Sequence, residues 1–120
     1  MAKTLQVDVD IEKYAGKIYL KIKKPKGEGP FPAVVLMHGC EGYTGSPKKS
    51  LDLWAKLFRK NGYATVIVDS FTGRNKSGGQ VCKSFSELGI ARYYRVWDAY
   101  AVHEYLDSLP YINENIFLVG

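Results

Sequence analysis

The segment His38–Gly42 holds, close together, the residue types of this chain that could do chemistry. Cys40 is a candidate nucleophile, and His38, two positions earlier, is a candidate base for its thiol. Cysteine and histidine pairs in enzymes are more often brought together from distant segments, so a passive thiol in a plain strand-to-helix turn is the alternative. The two hypotheses differ in whether Cys40→Ser abolishes activity.

Other polar residues are weaker candidates. Asp69 closes an apolar segment, where capping or loop anchoring is its expected role. His103 lies within a predicted helix and is expected to be an ordinary surface or core residue. The cysteines and histidines are scattered without metal-ligand spacing, and Gly78 and Gly79 are not followed by the Gly-Lys-Ser/Thr of a phosphate loop. We therefore expect no metal and no cofactor.

Two alternating segments open the chain. Apolar residues occupy every second position from Leu5 to Ile11 and again from Ile18 to Ile22, which predicts two half-buried strands. The break at Tyr14–Gly16 makes an antiparallel hairpin the expected arrangement.

Three segments with the character of buried strands follow: Ala33–Met37, which is continuously apolar, Tyr63–Val68 and Ile116–Val119. Two helical patterns separate them, and strands that alternate with helices at this spacing form right-handed crossovers in a parallel sheet. The predicted fold is therefore α/β, a hairpin followed by a βαβαβ unit.

The first helix is predicted to begin with Ser46 as its N-cap and to end at Gly62 in a left-handed cap. Its expected apolar face consists of Leu51, Trp54, Leu57 and Phe58. After a polar loop over Thr72–Val81, Ser84 and Glu87 have the spacing of a helix cap. The expected buried stripe of this second helix is Ile90, Tyr94, Trp97, Ala101 and Tyr105, widened by Val102, Leu106 and Leu109.

Composition indicates a globular protein, with 46% apolar and 24% charged residues. No apolar run reaches the length of a membrane span, and no secretory signal is evident, so we expect a cytoplasmic protein without membrane contacts. Cys40 and Cys82 are too few for a disulfide framework and are expected to be reduced. The net charge is +5, but the lysines look spread out and no nucleic-acid-binding signature accompanies them, so no nucleic-acid partner is expected.

The segments Pro32–Gly42, Gly62–Phe71 and Trp97–Tyr100, with Gly73-Arg74 and Val81-Cys82 between the last two, together resemble the dienelactone hydrolase family of the α/β-hydrolases. The resemblance runs from about Ile18 to Gly120. It implies hydrolysis of a small ester or lactone through an acyl-enzyme.

In that family the strand matching Ile116–Val119 leads into the nucleophile elbow, and Gly120 matches the first glycine of the elbow motif. The resemblance further implies that the backbone N–H of Cys40 is an oxyanion donor, with Gly39 allowing close backbone approach and His38 shaping the turn. It makes Arg74 a candidate for binding a substrate carboxylate. The well-studied members have a glutamate at the position of Gly39, a departure that does not favour dienelactone itself as the substrate.

On this basis residues 1–120 are expected to form one partial domain that stops just before the elbow. The nucleophile, acid and histidine would lie beyond it, so the chain alone should be inactive. The alternative is a non-catalytic α/β module that completes its sheet by dimerisation or with a partner chain, because an apolar strand edge favours such pairing.

Overall fold

The computed structural model describes residues 3–9, as backbone, and residues 16–120. The strands of its sheet are β1 (Lys3–Val9), β2 (Gly16–Lys23), β3 (Phe31–Met37), β4 (Ala64–Asp69) and β5 (Ile112–Val119). The helices are α1 (Gly45–Lys60), α2 (Gly78–Val81) and α3 (Phe85–Asp107), with a 3₁₀ turn over Thr72–Arg74.

The five strands form one sheet in the order β1-β2-β4-β3-β5. β1 pairs antiparallel with β2, and β2 pairs antiparallel with β4. β3 lies parallel to both β4 and β5. The predicted hairpin and parallel crossover unit are thus confirmed; residues 14 and 15 of the proposed hairpin break lie outside the described residues.

β3 is central and buried on both faces, as its continuous apolar sequence predicts. Alternate side chains point to opposite sides of a strand. Ala33, Val35 and Met37 pack in the core that includes Val102 and Leu106 of α3, whereas Val34 and Leu36 pack in the core that includes Ala55 of α1. The helices therefore cover the sheet from both sides, and β3 ends between them.

The predicted helix signals hold with small shifts. Ser84 accepts a hydrogen bond from the Glu87 N–H at 3.2 Å, as its N-cap role requires. Gly62 follows α1 with a φ of +89°. The N-cap of α1 is Thr44 rather than Ser46. The expected loop over Thr72–Val81 contains the 3₁₀ turn and α2, which begins with a capping box formed by Ser77 and Gln80.

The expected buried stripe of α3 is partly wrong. Ile90 and Trp97 are exposed, and the buried side chains are those of Ala91, Tyr94, Asp98, Val102 and Leu106. They recur at three- and four-residue spacing and so share one face. Asp98, a charged residue, occupies the middle of that face. Because the prediction followed apolar residues only, it assigned the buried stripe to neighbouring positions.

On α1, Trp54 and Leu57 are also exposed, whereas Ala55 is buried with Leu51 and Phe58 packed near it. Exposed apolar side chains occur on β5 as well, at Phe117, Leu118 and Val119. Among the described helices none is long and apolar enough to cross a membrane.

Candidate active-site loop

The loop that follows β3 begins with His38, whose side chain is buried although it is polar. Its Nε2 accepts a hydrogen bond from the Ser70 N–H at 3.1 Å, and its Nδ1 lies 2.7 Å from the carbonyl oxygen of Gly39. Because Nε2 accepts, the proton is on Nδ1, which donates to Gly39. The ring of Phe71 contacts the imidazole edge-on, with centroids 4.6 Å apart.

Burial lowers the pKa of His38 below its usual value of 6.5, and the Arg95 cation lowers it further, against the opposing effects of the Gly39 carbonyl and of Asp69 and Asp98. The imidazole is therefore neutral at physiological pH, with both ring nitrogens bound to backbone groups. It shapes the loop and is poorly placed to remove a proton from Cys40.

The expectation that Cys40 and Cys82 are reduced is wrong for this structure. They form a disulfide across a sequence separation of 42 residues, with their Cα atoms 5.1 Å apart. The fold brings the end of β3 and the end of α2 together, which a count of cysteines could not show. A disulfide sulfur is not a thiolate, so the hypothesis of a nucleophilic Cys40 fails as well. One ground for a cytoplasmic location is thereby removed, and that location stays a prediction.

The backbone around Cys40 is held through the preceding carbonyl. The Gly39 oxygen accepts from the His38 ring and from the Gly42 N–H, the latter at 3.1 Å. Gly42 has a φ of +84°, a conformation that favours glycine. A Cβ added at Gly39 would have no described atom within 4 Å apart from its two chain neighbours, so the rest of the described chain places no steric demand for glycine there.

Arg74 lies behind this loop. Its guanidinium forms two 2.7 Å hydrogen bonds with the carboxylate of Asp98, donates to the Ser70 carbonyl at 2.8 Å and stacks on Tyr94. Both side chains of the pair are almost fully buried. These contacts fasten the loop after β4 to α3, and carboxylate binding by Arg74 stays a prediction.

Asp69 anchors the start of that same loop. Its Oδ1 accepts from the N–H groups of Phe71 and Thr72, each at 3.0 Å. This confirms loop anchoring as its role. His103 is an exposed residue on α3.

A cavity of about 680 Å³ adjoins the loop on the side of α3. Its lining includes the loop residues His38, Gly39 and Cys40, the strand end at Gly120, and Arg92 and Arg95 of α3. The carboxyl ends of β3 and β5 thus meet at one cavity, the place where open α/β sheets bind ligands.

Sequence reasoning missed Arg95 and Asp98. Arg95 donates a hydrogen bond from its guanidinium to the carbonyl oxygen of His38. Asp98 carries a charge at a buried helix position, and that interruption of the apolar stripe was a signal that could have pointed to it. Nothing local in the sequence pairs Arg95 with residue 38, which is 57 positions away.

The expectation of scattered lysines is also wrong on one surface. Six cations and no acid line a shallow groove remote from the loop: Lys23, Lys24, Lys26, Lys56, Arg59 and Lys60. In the described residues no group of three or more histidine, cysteine or acidic side chains could hold a metal ion.

No protein-family model matches the chain, and no curated protein matches it at a significant level. Solved structures do. The 2,6-dihydroxy-pseudo-oxynicotine hydrolase is 23% identical with a TM-score of 0.67, and the match covers 98% of this chain and 29% of that one. A hypothetical protein from Pseudomonas aeruginosa is 24% identical with a TM-score of 0.64, covering 99% and 35%.

A Klebsiella pneumoniae protein assigned as a dienelactone hydrolase is 12% identical, with a TM-score of 0.59, and the match covers 98% of this chain and 49% of that one. The chain has a partial α/β-hydrolase fold. The predicted resemblance to dienelactone hydrolases and related α/β-hydrolases is confirmed at the level of the fold. The chain spans 29% to 49% of the length of these three structures.

Proposed function

We propose that this chain supplies the oxyanion loop and part of the substrate cavity of a hydrolase that acts on small carboxylic esters or lactones through an acyl-enzyme. The observation that carries the proposal is the position of the Cys40 amide. It lies in the loop directly after the central strand β3, and Cys40 lines the same cavity as Gly120 at the end of β5. In this fold, oxyanion donors come from the loop after such a strand and from the residue after the nucleophile.

The Cys40 N–H is suited to donate. No described hydrogen bond uses it, whereas the carbonyl of the same peptide unit, that of Gly39, is held by two donors. Because a trans peptide points its N–H opposite to its C=O, fixing the Gly39 oxygen fixes the direction of the Cys40 N–H. A preorganised donor of this kind stabilises developing negative charge, and loss of one costs about 10²–10³ in kcat.

The remaining catalytic groups are not found among the described side chains near the loop. His38 is neutral with both nitrogens engaged, His103 is exposed on α3, and Cys40 is oxidised. The nucleophile, its base and the acid would lie outside residues 1–120, with Gly120 as the first residue of the elbow. Residues 1–120 by themselves should hydrolyse no ester.

The first test is the intact mass of the protein isolated from its source, measured together with labelling by a fluorophosphonate and an iodoacetamide probe. A mass well above 13.5 kDa with a labelled nucleophile outside residues 1–120 is the expected result. A mass of 13.5 kDa with hydrolysis of p-nitrophenyl esters would overturn the assignment of the catalytic groups. The same mass with neither labelling nor hydrolysis would overturn the enzymatic proposal.

In an active preparation the Cys40 N–H can be tested directly. Replacing residue 40 by lactic acid removes both the N–H and the disulfide, while Cys40→Ala removes the disulfide and keeps the N–H. The first change should lower kcat about 10²-fold or more relative to the second. Equal kcat values in the two variants would exclude the amide as a donor.

The second candidate function is a non-catalytic module that pairs through β5. Three exposed apolar side chains favour it, at Phe117, Leu118 and Val119, on a strand that pairs only with β3 among the described strands. Sedimentation velocity on the 120-residue chain distinguishes the two. A stable dimer with cooperative unfolding supports the module, and a monomer excludes pairing between two copies of this chain.

A further inference from the structure

We infer that Arg95 is the positioning residue of the oxyanion loop: its guanidinium holds the His38 carbonyl and so fixes the orientation of the following peptide units, including the Cys40 N–H, beside the cavity. This rests on the proposed function for its catalytic meaning. The geometric part stands on contacts within the chain.

The loop has an unusual need for such an anchor. Gly39 is exposed, and a Cβ there would meet no described atom within 4 Å apart from its two chain neighbours. A glycine without steric neighbours allows the peptide units on either side of it to rotate at little cost. The disulfide holds the Cys40 side chain, and the orientation of its N–H depends further on the bonds made by the flanking carbonyls.

Those carbonyls are held by different groups. The Gly39 carbonyl is held by the His38 ring and the Gly42 N–H, as described above. The His38 carbonyl accepts from Arg95, a residue of α3. Arg95 is thus the described side-chain donor that ties this first peptide unit of the loop to the body of the domain.

Asp98, the acid that interacts electrostatically with Arg95, is already paired with another cation. Asp98 is bound at both oxygens by Arg74, and no described ion pair includes Arg95. The Nε of Arg95 is buried without a hydrogen-bond partner among the described residues. Burial lowers the pKa of Arg95, but a guanidinium remains protonated at any working pH. A partly desolvated cation bound to a carbonyl makes a stronger bond than a neutral donor would.

Arg92 provides a matched control. It lies one turn earlier on α3, lines the same cavity and stacks on Tyr93, and no described hydrogen bond joins it to the loop. Replacing Arg92 changes the charge of the cavity wall by the same amount as replacing Arg95 but leaves the His38 carbonyl bound.

The test is amide hydrogen exchange by NMR on the 120-residue chain, comparing Arg95→Met, Arg95→Lys and Arg92→Met. The reporter is the Gly42 N–H, which bonds to the Gly39 oxygen. Arg95→Met should speed its exchange about tenfold or more, the equivalent of a lost bond to a charged group. Arg95→Lys should restore part of the protection, and Arg92→Met should change it less than twofold. The Nδ1 resonance of His38 should shift in the same order.

Unchanged Gly42 exchange in a folded Arg95→Met variant would overturn the inference. If that variant does not fold, the comparison of Arg95→Lys with Arg92→Lys decides, and equal exchange in both would overturn it. Because the exchange measurements need no catalysis, they test the role of Arg95 in the loop whether or not the proposed function is correct. In an active preparation Arg95→Met should lower kcat with KM little changed, and Arg95→Lys should recover part of the lost kcat. A rise in KM with kcat unchanged would argue against positioning.

Discussion

The loop after β3 and the strand β5 reach the same cavity, but they differ in how firmly contacts within the chain hold them. The loop is fixed from several sides, by Ser70, by Arg95 and by the disulfide at Cys40. β5 is held by β3 along one edge and exposes apolar side chains. A loop needs contacts on several sides to keep one shape, whereas a strand at the edge of a sheet leaves its unpaired side open to another strand. The difference separates the part of the site that is held by contacts within the chain from the part that is exposed.

The largest effect should come from breaking the buried ion pair behind the loop. Arg74→Met leaves the Asp98 carboxylate buried without its partner, and the expected loss is about 3–5 kcal/mol of unfolding free energy. Urea denaturation followed by circular dichroism measures it. The double variant Arg74→Met with Asp98→Leu should be more stable than Arg74→Met alone, and equal stability of the two would contradict the importance of the unpaired charge.

The disulfide comes next. Cys82→Ser opens a loop closed over a separation of 42 residues and should lower the unfolding free energy by about 2–4 kcal/mol. Dithiothreitol should produce a similar loss in the wild-type chain and none in the variant. A thiol titration of the native chain that finds two free thiols would refute the bond itself.

A pH effect should distinguish the loop from the rest of the fold. Since the folded-state pKa of His38 lies below its unfolded value of 6.5, the unfolded chain binds more protons between the two values. Stability should therefore fall as the pH drops through 6.5, by at most about 1.4 kcal/mol per pH unit. His38→Gln should remove this component and His103→Gln should keep it, when each is compared with wild type by urea unfolding between about pH 8 and 5.5. Identical pH slopes in the two variants would rule out His38 as its source.

The smallest effect on stability is expected at β5. Leu118 is 60% exposed, so Leu118→Lys should change the unfolding free energy by about 0.5 kcal/mol or less. It should nevertheless reduce self-association, because a charge on an edge strand opposes pairing with another edge. Leu53→Lys on α1, also at 60% exposure, is the control in sedimentation velocity. Equal association of both variants would place the contact elsewhere.

Local patterns predicted much of the fold. The continuous apolar run of β3 predicted burial on both faces, and Ser84 with Glu87 predicted the start of α3. The position of the candidate loop was also predictable, because a glycine-rich segment directly follows that strand. The roles of the side chains in this loop were predicted less accurately than its position. Cys40 was expected to be reduced but is a disulfide partner.

What the sequence determined by itself is the order of elements and the place of the loop, since periodicity and capping depend on residues within a few positions of one another. What only the tertiary structure decided is which distant residues meet. Cys40 with Cys82, Arg74 with Asp98, and Arg95 with the His38 carbonyl are separated by 42, 24 and 57 positions. Such pairings follow from how the helices pack on the sheet, and a local pattern carries no record of that packing.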